Sequence, residues 1–316
     1  MIQCERIVNY FTNPVKGEKI MAEQTYVFIT DSDSDLSYKI ADERHIPVIR
    51  MPYALDGVEY LDDNGREGEE KLKEFFNKMR AGSVPVTSCL SKINYIEFLE
   101  PFLADGKDIL YVAFSSNMSA TLNYCREAWD ELRVRYPGRQ LKIVDTLSIS
   151  VPMVLLIEAA HDMYLAGASM EEVEKWIIDN RLKAQVWLTV ESLTYLKRGG
   201  RLSPTSAFFG SMLDIKPIIV LGRGGKMDAI EKAKGRRKAL QTIFERMLEY
   251  IGDPEGKTVI VMHADAPEEA ERMKAKIAER LPGLKEIRVQ MIGPVIGAHC
   301  GPGSLALVFM GKERPI

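Results

Sequence analysis

From residue 26 onward the chain alternates short apolar runs with longer stretches in which apolar residues recur at helical spacing. Tyr26–Thr30 (YVFIT) has the length of a buried strand, and Ser37–Glu43 follows its polar cap residues as a helix. Ile46–Tyr53 is a second extended run. Gly68–Ala81 carries Leu72, Phe75, Phe76 and Met79 on one helical face. Ile93–Leu103 predicts a helix, Asp108–Phe114 a strand, Ala120–Tyr136 a helix and Lys142–Asp145 a strand, before helices at Val151–Leu165 and Met170–Asn180. This alternation predicts parallel strands with helical crossovers.

The pattern changes near Ala184. Strands are predicted at Val186–Val190, Ile215–Leu221, Ala229–Lys234, Thr258–His263, Ile287–Gln290 and Ser304–Met310. Between them lie a short helix at Ser192–Lys197, an apolar stretch at Ser206–Leu213, and helices at Arg236–Ile251 and Pro267–Arg280. The sequence thus predicts an α/β protein of two domains. Residues 23–185 form an N-terminal domain with a mainly parallel sheet flanked by helices, and residues 186–316 a C-terminal domain with a mixed sheet and helices. Residues 1–22 are polar, contain Pro14 and Gly17, and precede a second possible start at Met21; they read as an N-terminal extension without chemistry.

The composition removes several function classes. The chain has 316 residues, 46% hydrophobic and 28% charged, a globular profile with length enough for two cores. Its formal charge of -3 gives no global pull toward nucleic acid and leaves room for transient membrane contact at most. Cys4, Cys89, Cys125 and Cys300 are scattered without a CxxC pair, which predicts reduced thiols rather than a disulfide framework or a zinc site. The opening residues lack the apolar core of a secretory signal, and no run approaches the ~18 apolar residues of a membrane span. The expected location is the cytoplasm.

Candidate chemistry is concentrated in loops. Thr30-Asp31-Ser32-Asp33-Ser34-Asp35 lies where open α/β sheets bind ligands, beyond the carboxyl end of a strand. As a calcium loop it fails, because Leu36 and Asp42 occupy the positions that require glycine and glutamate. A haloacid-dehalogenase-like phosphatase with Asp31 as nucleophile is the rival reading, and a strand-end turn with helix capping is the plain structural one. Thr87-Ser88 and Ser115-Ser116-Asn117-Met118-Ser119 are hydroxyl-bearing loops; alone each reads as capping, together they suggest one shared anion site built from neutral donors. His299 stands among the glycines and prolines of Gly293–Gly303, which let backbone pass close to a neighbour. Without a GxSxG elbow, a serine hydrolase is disfavoured. Basic residues gather at Lys197-Arg198…Arg201 and at Lys232, Lys234, Arg236 and Arg237. They read either as a solvated face or as a docking patch for an acidic or phosphate-bearing partner.

In this order the pieces resemble the DegV family of bacterial fatty-acid-binding proteins, which includes the fatty acid kinase B subunits. The resemblance runs from Tyr26 to about Phe309. It is carried by Thr30-Asp31-Ser32, Thr87-Ser88, Ser115-Ser116…Ser119-Ala120-Thr121, Leu196-Lys197-Arg198-Gly199-Gly200-Arg201, Lys216-Pro217-Ile218 and Gly293-Pro294…Gly297-Ala298-His299…Gly301-Pro302-Gly303. It implies a long-chain fatty acid of the C16–C18 type in a tunnel between the domains, with no other cofactor and no metal. The carboxylate would lie at Thr87 or Ser88, at Ser115 and Ser116, and near His299. It further implies a lipid-binding subunit rather than an autonomous enzyme. A separate ATP-binding kinase would phosphorylate the bound acid, and an enzyme of phospholipid synthesis would use the acyl phosphate. A lipid-sensing protein is the other outcome the family allows. Cys89-Leu90 replaces the family's usual Gln-Pro, and Ala120 a usual glycine, which bears on chain selectivity. Ala207-Phe208-Phe209 and Met212-Leu213-Asp214-Ile215 are expected tunnel wall.

Overall fold

The computed structural model describes residues 24–201 and 214–316. The expected N-terminal extension, Cys4, and the tunnel-wall stretch up to Leu213 lie outside them. The chain runs through β1 (Tyr26–Asp31), α1 (Tyr38–Glu43), β2 (Val48–Ile49), β3 (Pro52–Leu55), β4 (Val58–Leu61), α2 (Glu69–Arg80), β5 (Val86–Thr87), α3 (Lys92–Ala104), β6 (Asp108–Ala113), α4 (Thr121–Arg135), β7 (Leu141–Asp145), α5 (Ser150–Leu165) and α6 (Met170–Asn180). It continues with β8 (Ala184–Thr189), α7 (Thr194–Gly199), β9 (Ile215–Leu221), β10 (Met227–Lys234), α8 (Arg236–Tyr250), β11 (Thr258–His263), α9 (Pro267–Arg280), β12 (Glu286–Met291), α10 (Pro294–Cys300) and β13 (Leu305–Met310).

The first sheet has the order β2-β1-β6-β7, with every pairing parallel. The second is mixed, β10-β9-β8-β13-β11-β12, with β11 and β12 parallel and the other pairs antiparallel. Period-two alternation explains how the sheets stack. In β1 and β6, Ile29, Ile109 and Tyr111 face α3 and α4, while Phe28, Leu110 and Val112 face the opposite way, toward α5. In the second sheet Val186, Leu188, Ile260, Met262, Ala306 and Val308 join that same α5 core. Trp187, Val259, Val261, Leu305 and Leu307 turn instead toward α8 and α9. Helix α5 is therefore shared between the sheets. Its continuous apolar run, Val151 to Ile157, is buried on every side, as a helix without a polar face must be.

Three places depart from the sequence expectation. The run Ile46–Tyr53 is split between sheets: β2 joins β1, and β3 heads a separate antiparallel sheet, β4-β3-β5. The hairpin β3–β4 closes through Asp56 and Gly57, at φ 52° and 79°, as a two-residue turn with both centres left-handed requires. The glycine- and proline-rich segment after β12 forms helix α10, entered through Pro294 at its first turn.

Candidate functional site

The order β2-β1-β6-β7 reverses its chain direction of travel between β1 and β6, so the loops leaving these two strands diverge and leave a crevice. A cavity of about 80 Å³ lies there. Its polar wall is Asp33 from the turn after β1, Ser119 from the loop after β6, Thr87 and Ser88 from β5 and its exit, and Arg201 and His299. Its apolar wall includes Met51, Met118 and Met227, with Phe114, Ile149 and Ile296. The second sheet's elements thus close a crevice that the first sheet opens.

Thr87 and His299 meet directly: Thr87 Oγ1 and His299 Nε2 are 2.9 Å apart across 212 residues of sequence. The β5 alternation points exposed Val86 outward and Thr87 inward. The Nδ1 edge of the His299 ring lies against Gly199 of α7, where a Cβ would overlap it. Burial, aided by the charge of Arg201, pushes the His299 pKa down to about 4, so near neutrality the imidazole is uncharged. One ring nitrogen then donates and the other accepts.

The serines of the loop after β6 divide between tasks. Ser115 is fully buried and donates to the Gly225 carbonyl at 2.8 Å, while Asn117 donates to the Gly224 carbonyl at 2.8 Å. Ser116 turns outward and donates to the Asp145 carboxylate at 2.6 Å. Neither Ser115 nor Ser116 lines the cavity; Ser119 does. Its oxygen accepts the Thr121 N–H at 3.3 Å and lies 3.8 Å from Cys89 Sγ, a contact in which either group can donate. The sequence places Ser119 in the same hydroxyl loop, but the expected carboxylate contacts there were Ser115 and Ser116.

The aspartates after β1 are buried. Asp31 is fully buried, and its Oδ2 accepts from the Tyr111 hydroxyl at 2.8 Å and the Phe114 N–H at 3.0 Å. A phosphatase nucleophile must meet its substrate, and this carboxylate is walled in. Asp35 accepts the Gly293 N–H at 2.7 Å and the Ser150 hydroxyl. Asp62, at the end of the β3–β4 sheet, accepts the Asn64 N–H at 3.0 Å and a backbone bond from Val295. Gly293 threads between Asp35 and Asp62, and a Cβ there would stand 2.7 Å from Asp62 Oδ2. These carboxyls hold the start of α10, and α10 carries His299 in its last turn. Burial, with mutual repulsion added, pushes the pKa of Asp35 up to about 8, and burial lifts that of Asp62 to about 7. Among the described residues no group of three or more His, Cys, Asp or Glu side chains is placed to hold a metal ion.

The sequence profile of the DegV family, described as an uncharacterised protein family, matches residues 26–312. The chain belongs to the DegV family. A DegV domain-containing protein of Clostridium perfringens (strain 13 / Type A) is 37% identical over 289 residues, 92% of this chain and 98% of that one. A fatty-acid-binding DegV family protein from Thermus thermophilus shares the fold with a TM-score of 0.80 at 25% identity, over 91% of this chain and 99% of that one. DegV from Bacillus subtilis, a fatty acid binding protein, gives a TM-score of 0.79 at 22% identity over 92% and 100% of the two chains, a likeness of fold.

In this DegV protein the basic residues do not form one patch. Arg201 lines the cavity and donates to the Gly199 carbonyl. Arg236 is clamped on Glu269, with Nη2 at 2.6 Å from the carboxylate and 2.7 Å from the Gly303 carbonyl, so it ties α8 to α9. Lys232, Lys234 and Arg237 are exposed. No helix among the described residues is long and apolar enough to cross a membrane.

Proposed function

We propose that this DegV protein binds one long-chain fatty acid of the C16–C18 type and presents its carboxylate to a separate ATP-binding kinase, whose acyl phosphate product feeds phospholipid synthesis. The observation that carries the reading is the Thr87–His299 pair in the crevice at the strand switch point, with Ser119 in the same polar wall and methionines opposite. Thr87, Ser88, Ser119 and the neutral His299 supply hydroxyl and imidazole donors for the carboxylate, and Arg201 adds a cation at the same wall. Ser115 and Ser116 shape the loop through their bonds to Gly225 and Asp145. A buried carboxylate must be hydrogen-bonded, and neutral donors satisfy it while leaving an oxygen nucleophilic.

The cavity of about 80 Å³ suits a head group and the first carbons, against the roughly 300–1,000 Å³ of sites that enclose larger ligands. A full chain would part the apolar wall, and the unbranched methionines at 51, 118 and 227 are the side chains best able to move aside. Each buried methylene returns about 0.8 kcal/mol, so about a dozen give on the order of 10 kcal/mol before ordering costs. The chain thus supplies affinity and the head group supplies orientation. Domains 23–185 and 186–316 would close on the ligand from either side. Lys232, Lys234 and Arg237, exposed in the second unit, remain the residues suited to steering an acidic kinase.

The test is to load the purified protein with palmitate, add ATP, magnesium and a fatty acid kinase from the same organism, and trap acyl phosphate with hydroxylamine. Palmitoyl hydroxamate that requires both proteins supports the proposal. Tight palmitate binding without hydroxamate would reduce it to binding alone.

A further inference from the structure

Asp33 stands in the cavity wall, in the 3-10 turn of Ser32–Ser34. It is 6% exposed, and its Oδ1 has no hydrogen-bond partner among the described residues. A buried carboxyl oxygen without a donor is costly unless something completes it. Its neighbours do the opposite of completing it. Asp31 and Asp35 flank it on the same turn, Asp62 approaches from the end of the β3–β4 sheet, and each adds negative charge; Arg201, after α7, is the cation that opposes them. From α10 the facing group is His299, which is neutral near pH 7. The carboxyl of Asp33 thus faces, across a small cavity, the hydroxyls and imidazole assigned above to an acid head group.

We propose that Asp33 is a head-group residue, whose carboxyl and the carboxyl of the bound acid hold one proton between them. The proposal rests on the fatty-acid reading and deepens it. Two carboxylates within hydrogen-bonding reach cannot both stay ionised, and a single shared proton turns their repulsion into a short, charge-assisted bond. Thr87, Ser119 and His299 then serve the remaining lone pairs of the ligand, and Oδ1 of Asp33 gains its missing partner. Burial and the neighbouring carboxylates raise the pKa of Asp33 well above the ordinary carboxyl value, which favours its protonated form. With the proton resting on Asp33, the ligand is bound as its carboxylate, the form that can attack a phosphoryl group. The site therefore takes up an acid together with a proton, and its affinity for a carboxylate must fall as the pH rises beyond the point where free Asp33 ionises.

The experiment titrates the whole protein with dodecanoate and, separately, with dodecanol, from pH 6.5 to 9. The alcohol has the same tail and no carboxyl. For the unaltered protein the dissociation constant for dodecanoate should rise with pH, approaching tenfold per unit at the alkaline end, while that for dodecanol stays level. Asp31, Asp35 and Asp62 are close enough to repel a bound carboxylate as they ionise, so dodecanol controls only for effects carried by the fold, and loss of the slope in Asp33→Asn is what assigns it to Asp33. Asp33→Asn supplies a permanent N–H donor, and its dodecanoate affinity should lose the pH slope. A level profile for dodecanoate in the unaltered protein overturns the proposal, as does a slope shared by dodecanol or one that survives in Asp33→Asn. Should Asp33→Asn not fold, Asp35→Asn and Asp62→Asn decide: a dodecanoate slope kept in both supports the assignment to Asp33, and a slope lost in either overturns it. Binding of dodecanoate with a level profile removes only this inference; no binding at any pH removes the fatty-acid reading and this inference with it.

Discussion

Thr87 reaches His299 because β5 is a strand, however short, and its alternation leaves Val86 at 61% exposure while turning the threonine inward. At this scale the sequence was partly legible. Threonine, serine and histidine in loops signal neutral donors, and those residue types do gather at one cavity. Which serine of the loop after β6 lines the cavity was not legible. The choice depends on Asp145, at the end of another strand, capturing Ser116. It depends also on the Gly225 carbonyl capturing Ser115. Arg201 was hidden for a similar reason, since a charge run in sequence does not say which member the fold turns inward. Thr87→Val keeps the shape and removes the hydroxyl, and Ser119→Ala does the same on the facing loop. Each should weaken palmitate binding about tenfold, the worth of one hydrogen bond of ~1–1.5 kcal/mol. Ser116→Ala should change it less than about twofold. Calorimetric titration of the three variants checks this ordering; equal losses at all three would return Ser116 to the site.

Helix α10 was the element least visible beforehand, because Gly293, Pro294, Gly297 and Gly301 weaken every propensity signal for a helix of seven residues. It forms because Asp35 and Asp62 take its first free N–H groups, a contact between segments some 230–260 positions apart that no local pattern encodes. The hairpin β3–β4 is different: its Asp56-Gly57 turn was present in the sequence as a recognised hairpin signal. The buried carboxyls that orient α10 make stability depend on pH. Their pKa values rise from the usual 3.8 to about 8 for Asp35 and about 7 for Asp62, so in this range the folded chain binds more protons than the unfolded one. Stability from these groups is therefore lost as the pH rises toward 8. His161 and His299, lowered to about 4, act in the opposite sense between about 4 and 6.5. The window from pH 6.5 to 8 is thus the one in which the carboxyls act alone among these groups. The melting temperature should fall across it, and Asp35→Asn should flatten the fall. A melting temperature that climbs from pH 6.5 to 8 in both proteins would contradict this account.

For the whole molecule, most of the strand and helix succession and the parallel first sheet followed from periodicity. The sharing of α5 between the sheets did not, since an apolar helix does not say how many partners cover it. The C-terminus adds a tie that sequence could not show. Arg314 is fully buried, and its guanidinium donates to the carbonyls of Leu147, Arg181, Ala184 and Gly222 and to the Ser148 hydroxyl, at 2.6 to 3.2 Å. It joins the loop after β7 to the turn before β8 and to the start of the β9–β10 turn. Removing it strands buried acceptors, each costing about 1–3 kcal/mol. Arg314→Met should therefore lower stability by roughly 3 kcal/mol or more in denaturant unfolding. Because the β9–β10 turn positions Met227 in the cavity wall, the same variant should also weaken fatty-acid binding at temperatures where it remains folded. Unchanged unfolding midpoints would show that the tie is dispensable.

We propose that the crevice between β1 and β6 holds a fatty acid. The most direct measurement is the native mass of the intact protein purified from growing cells, paired with analysis of its organic extract. A filled crevice gives a mass excess equal to one C16–C18 fatty acid per chain, with that acid recovered in the extract. Protein at its bare sequence mass, still unable to take up palmitate when it is supplied, would contradict it.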